Sequence, residues 1–165
     1  MKIIDQQTLR ALSAKAIASP RLRANHNLHP TTDDPINRFC NAIEPGSYVR
    51  PHRHAGTGRW ELFLCLTGAV VALIFDETGV VTQRLEVRPG GPVLGIEIPE
   101  DTWHTVTALE PGSSVLEMKT GPYRPLGPQD FAAWSPAEGD ARAVALESWF
   151  HTAQPGMRFK DAAGK

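Results

Sequence analysis

Residues 46–68 read GSYVRPHRHAGTGRWELFLCLTG, and this stretch decides the fold. His52 and His54 are two apart, so on a strand both imidazoles point to one face. After a Gly-containing turn, Glu61 stands near the start of a second run, Trp60–Thr67. One face of that run carries Glu61, Phe63 and Cys65, the other Leu62, Leu64 and Leu66. On an antiparallel neighbour the Glu61 carboxylate reaches the point where the two histidines meet. Residues 99–104, PEDTWH, then deliver His104 from a tight turn into another strand. Three imidazoles and one carboxylate suit a first-row divalent metal and leave coordination positions for water or substrate.

Outward from this core, the sequence predicts strands at Ile36–Ile43, Ser47–His54, Trp60–Thr67, Ala69–Phe75, Thr82–Val87, Val93–Ile98, Trp103–Leu109 and Ser113–Thr120. EPG, AGTG, ETG, RPGG, PED and EPG punctuate them, the pattern of a β-sandwich or barrel. An amphipathic helix is predicted over Asp5–Ser19, stopped by Pro20, and another from Ala137 to about Phe150. Residues 20–35 show no periodicity and read as a loop. The chain thus divides, within one domain over 1–165, into a helix and loop (1–35), a barrel (36–120) and a C-terminal extension (121–165).

Gly46–His54 followed by Glu61–Gly68 resembles the first motif of the cupin family, and PEDTWH resembles the second. SPRLRANHNLHP (19–30), YVRPHRH (48–54), WEL (60–62), IPEDTWHTV (98–106) and EMKTGPY (117–123) are similar to the WbuC-like cupin-fold metalloproteins, over roughly residues 1 to 140. The resemblance implies a double-stranded β-helix with one metal ion in the barrel mouth, and no established reaction. Six residues separate His54 from Glu61, where the cupin pattern has three or four; Asp101 stands where it has Gly, and Ala108 where it has Asn. Asp tolerates the left-handed backbone such a turn needs. The candidate ions are zinc, iron, manganese and nickel.

Composition narrows the partners. The 165 residues are 41% hydrophobic and 21% charged with a net charge of -1, an ordinary globular balance without the basic surface of a nucleic-acid binder. The longest apolar runs are far too short to span a bilayer, and the N-terminus lacks the apolar run of a signal peptide. A cytoplasmic protein is expected. Cys40 and Cys65 sit among apolar residues and read as small hydrophobes. Cys65 also lies too far along its strand from Glu61 to ligate the same ion.

Around the metal, Tyr48 and Arg50 share the strand face of His52 and His54 and are expected to point into the barrel. Arg21, Arg23, Asn25 and Asn27 supply donors for an anionic ligand, with Asp33 and Asp34 the nearby carboxylates that would otherwise pair the arginines. Folded over the mouth, this segment would form a lid, with His26 or His29 as acid or base and Tyr48 beside them. Leu116 and Met118 are expected in the core, and Glu117 and Lys119 in solvent. Apart from Glu61, both faces of Trp60–Thr67 and of Ala69–Phe75 are apolar, so the outer face needs the N-terminal helix or a second subunit as cover; a homodimer is expected. Three functions fit: Lewis-acid chemistry on a small anionic or sugar-like molecule, Fe(II)-dependent dioxygenation, and non-catalytic binding of a small ligand or metal.

Overall fold

The computed structural model describes residues 1–56 and 58–160. In chain order the elements are α1 (Gln6–Ala18), β1 (Arg23–Asn27), β2 (Ile36–Ile43), β3 (Glu61–Thr67), β4 (Val70–Phe75), β5 (Val81–Val87), β6 (Gly95–Ile98), β7 (Trp103–Ala108), β8 (Ser113–Thr120), a 3-10 turn (Pro128–Asp130) and α2 (Arg142–Phe150). The strands form two antiparallel sheets, ordered β1-β2-β8-β3-β6 and β5-β4-β7. The segment before β3 extends the smaller sheet beside β7, where His52 bridges His104. That interleaving is a double-stranded β-helix, the cupin barrel. No helix among the described residues is long and apolar enough to cross a membrane.

Alternation explains how each sheet is buried. Ile43, Phe63, Val70, Val87, Val106 and Val115 fill the barrel interior. Outside the larger sheet, Cys40 and Ala42 of β2 pack under Leu9, Leu12 and Ala16 of α1, with Leu66 and Leu116 at the edge. Asp5 caps that helix by accepting from the Thr8 N–H at 2.8 Å. Outside the smaller sheet, Val71, Leu73 and Phe75 of β4 meet Leu146 and Phe150 of α2. The second apolar face of β4 is therefore covered by the C-terminal helix, whereas on the outer face of β3 Leu64 stays 37% exposed. Gly68 closes the tight β3–β4 connection with φ +67, and a Cβ there would lie 2.8 Å from the Cα of Ser113.

Three expectations need correcting. Residues 20–35 are not structureless: Arg23–Asn27 forms β1, antiparallel to β2. Its alternating residues are Arg, Asn and Asn against Ala and His, too few of them apolar to show a period. Ser47–His54 is not a regular strand, since Pro51 has no N–H to donate and only His52 makes bridges, to His104 and Phe131. Glu117 and Lys119 face the interior, because packing Leu116 under α1 turns the alternate residues of β8 inward. Asp101 takes the left-handed backbone, φ 56.

Candidate metal centre

The elements bring His52, His54, Glu61 and His104 to one point at the open end of the barrel. Their ligand atoms all lie within 4.8 Å of one another, a group that could hold one metal ion. Glu61 begins β3, His104 lies next to the start of β7, and the backbones of His52 and His104 exchange hydrogen bonds of 3.0 and 2.9 Å. This pairing holds the two rings 4.5 Å apart, centroid to centroid.

Hydrogen bonds set the ring orientation. Nδ1 of His52 lies 2.9 Å from the Arg50 carbonyl, and Nδ1 of His104 lies 2.8 Å from the Thr102 carbonyl. A carbonyl only accepts, so each Nδ1 carries the proton and each Nε2 of the neutral ring keeps a free lone pair. The Nε2 of His104 faces Glu61 Oε2 at 3.1 Å, and that of His54 lies 3.2 Å from the same oxygen. The His104 lone pair aimed at a carboxylate repels it unless a cation lies between them, so the donor set fits a divalent metal. Burial, and then the neighbouring His104 ring, hold the His52 imidazole well below its ordinary pKa; it is neutral at pH 7, as a ligand must be.

Behind the ligands lies a charged network. The Lys119 ammonium donates to Glu61 Oε1 at 3.1 Å and to Glu117 Oε1 at 2.7 Å. Glu117 Oε2 in turn accepts from the Asn41 amide at 3.3 Å. Burial alone would raise the Glu61 carboxyl, but the Lys119 charge opposes it, and Glu61 lies well below the ordinary carboxylate range. Burial dominates at Glu117, pushed up to about 8 against the pull of Lys119. Burial works against the charged Lys119, yet its two carboxylates keep its pKa raised. Lys119 also lies 5.2 Å from the Phe39 ring centroid. The sequence carried a signal for this network in the parity of β8: an inward Val115 puts Glu117 and Lys119 on the same face.

A cavity of about 730 Å³ opens in front of the centre. Arg21, Arg23, Asn25, Asn27, His29 and Arg50 line it with His52 and Glu61. The first five come from β1 and the segments flanking it, so they form a wall of the barrel rather than a lid.

Two residues named from the sequence fall elsewhere. His26 sits on the opposite face of β1, in a cleft against α1 with Asp5 and Lys15. Tyr48 is buried on the outer side of the small sheet, stacked on Phe150 at 6.1 Å and donating to the Pro136 carbonyl at 2.9 Å. The irregular backbone at Pro51 breaks the parity that would have put Tyr48 and His52 on one face. Burial pushes the Tyr48 hydroxyl pKa up, which leaves it a poor proton donor to a ligand.

The arginines at the rim already have partners. Arg21 and Arg23 both pair with Glu138, at 2.7 and 2.9 Å, and not with Asp33 or Asp34. Asp34 pairs with Arg38. Arg50 donates to Ser135 through its side-chain and backbone oxygens, both at 3.0 Å, with its guanidinium 4.9 Å from the Phe131 ring. His29 is buried, and its Nδ1 accepts from the Arg38 N–H at 3.0 Å. Glu138 and the 131–135 segment were missed because they lie in the Pro/Gly-rich extension, where no periodicity marks position.

Residues 4–87 match the model of the family described as "Domain of unknown function (DUF6016)". No curated protein matches the chain. Among solved structures, TT1209 from Thermus thermophilus is similar at 18% identity and a TM-score of 0.52, covering 73% of this chain and 97% of that one. KdgF from Halomonas sp. aligns at 22% identity and a TM-score of 0.49, over 64% of this chain and 84% of that one. A cupin superfamily protein from Desulfitobacterium hafniense aligns at 17% identity and a TM-score of 0.45, over 59% of this chain and 76% of that one. At these identities the likeness concerns the fold alone.

Proposed function

The chain belongs to the family described as Domain of unknown function (DUF6016), and from that premise we propose a metal-dependent cupin protein that binds and acts on a small anionic or sugar-like molecule. One observation carries this reading: four candidate ligand atoms lie within 4.8 Å of one another, and two of their residues, His52 and Glu61, line a 730 Å³ cavity. A divalent ion held by three neutral imidazoles and one carboxylate keeps a formal charge of +1 and, when bound, polarises a ligand oxygen as a Lewis acid.

The protein's own residues do the rest. Lys119 holds Glu61 Oε1 and leaves Oε2 for the ion. Asn41 donates its amide to Glu117, while its buried Oδ1 has no partner among the described residues and lies in the cavity wall. An unpaired buried acceptor is costly, and a ligand hydroxyl would satisfy it. With Asn25, Asn27 and Asn37 on the same wall, the cavity offers both donors and acceptors to a polyhydroxylated body.

The WbuC-like motifs lean the ligand toward sugar-related chemistry. Cys40 and Cys65 are both free and buried, in keeping with a reducing cytoplasm, and the exposed Leu64 on the outer face of β3 suits a homodimer contact. The test is to strip the protein with a chelator, reload it with Zn(II), Mn(II), Ni(II) or Fe(II), and record melting temperature against hydroxy acids, sugars and sugar phosphates. The expected result is a metal-dependent rise with at least one of them. No metal-dependent shift with any compound would overturn the reading; oxygen uptake only in the Fe(II) protein would replace it with dioxygenation.

A further inference from the structure

A second, smaller cavity of about 150 Å³ opens against His52 and His54. Arg59, Arg124 and Lys119 line it, and among the described residues no carboxylate does. Lys119 is held by Glu61 and Glu117. The guanidinium groups of Arg59 and Arg124 have no hydrogen-bond or ion-pair partner among the described residues. They differ in this from the other arginines near the centre, since Arg21 and Arg23 share Glu138 and Arg50 is tied to Ser135. Two guanidinium groups without a counter-charge thus flank His52 and His54 of the candidate centre.

We propose that this small cavity is an oxyanion subsite, in which Arg59 and Arg124 take the carboxylate or phosphate end of a molecule bound at the metal centre. The inference rests on the metal reading above and goes beyond it by locating the anionic end of the ligand. Each guanidinium presents a planar fork that matches two oxygens of a carboxylate or phosphate. Trp60 and Tyr123 also line it, Tyr123 from the exposed rim. At roughly 30 Å³ per water, the space equals about five waters, room for an oxyanionic group and not for a substituted ring. The two cavities share His52, Asn37, Lys119 and Tyr123, so one molecule can lay a polar body in the larger and its charged end in the smaller.

The experiment uses the full chain loaded with Co(II), titrated with inorganic phosphate and, separately, malonate, by calorimetry and by the visible Co(II) spectrum. Wild type is expected to bind at least one probe with a change in the spectrum, and the probe that binds tells phosphate from carboxylate. Arg59→Ala with Arg124→Ala should weaken that binding about ten- to hundredfold, as loss of charge-assisted hydrogen bonds does, with Co(II) content unchanged. Arg10→Ala, on the exposed face of α1, should leave it within about threefold. Wild-type affinity in the Arg59/Arg124 double variant, or no binding of either probe to Co(II)-loaded wild type, overturns the subsite and leaves the metal centre standing. Failure of wild type to retain Co(II) overturns the metal reading, and this inference with it.

Discussion

Lys119 and Glu61 sit opposite each other on β8 and β3, and the Lys119 ammonium lies 3.1 Å from Glu61 Oε1 while Oε2 turns to His54 and His104. One oxygen of the carboxylate is thus pinned by the protein and the other given to the centre. Lys119 is a positioning residue: it fixes which oxygen faces His54 and His104 and keeps the carboxylate ionised.

Lys119→Met should therefore lower metal affinity about 10–100-fold, the usual effect of losing an outer partner of a ligand. It should also destabilise the metal-free protein by about 3–5 kcal/mol, because a buried charge loses its partner. Lys119→Arg should restore part of both. Chelator competition reads the first and urea unfolding the second; unchanged metal affinity in Lys119→Met would remove Lys119 from the account.

Phe150 anchors the C-terminal helix. Its ring is fully buried, stacked on Tyr48 and 6.3 Å from Phe75. Phe150→Ala should cost about 3–5 kcal/mol in denaturant unfolding, with metal content retained. A loss below about 1 kcal/mol would mean that α2 does not hold the outer face of the small sheet.

The Arg21–Glu138–Arg23 cluster gives an acid-sensitive tie between β1 and the C-terminal extension. Burial would raise the Glu138 carboxyl, but the two arginines outweigh it and hold it below its ordinary value of 4.5. A carboxyl with a lowered folded pKa stabilises above its unfolded value and loses that contribution as pH falls through the folded one. Wild type should therefore exceed Glu138→Gln in stability at pH 6 by about 0.2–1 kcal/mol, the range for an exposed pair. The difference should shrink below pH 4.5. Melting curves from pH 3 to pH 7 check this, and a constant gap would contradict it.

Much of this was legible in the sequence because strand alternation is strict where the chain is regular. The spacing of His52 and His54, the start of β3 at Glu61 and the PEDTWH turn picked out the four side chains that the fold brings together. Alternation failed where the backbone is irregular: Pro51 breaks the strand, so Tyr48 lies outside the barrel while His52 lies inside. It misled at β8, where Leu116 and Met118 looked like core; Leu116 is the half-buried cover under α1, and the charged face of the strand is the buried one. Strand β1 escaped notice because its inward residues are polar, serving a cavity rather than a core. Partners across long sequence separations, such as Glu138 for Arg21 and Arg23, leave no local signal.

The most direct test of the central claim is metal stoichiometry by elemental analysis of purified protein, for wild type, His54→Ala, His104→Ala and His151→Ala. His151 is the control, since its ring pairs with Glu147 at 2.9 Å outside the centre. The account predicts close to one equivalent of a divalent transition metal in wild type and His151→Ala, and little in the other two. Equal metal in all four proteins, or none in wild type after reloading, would contradict it.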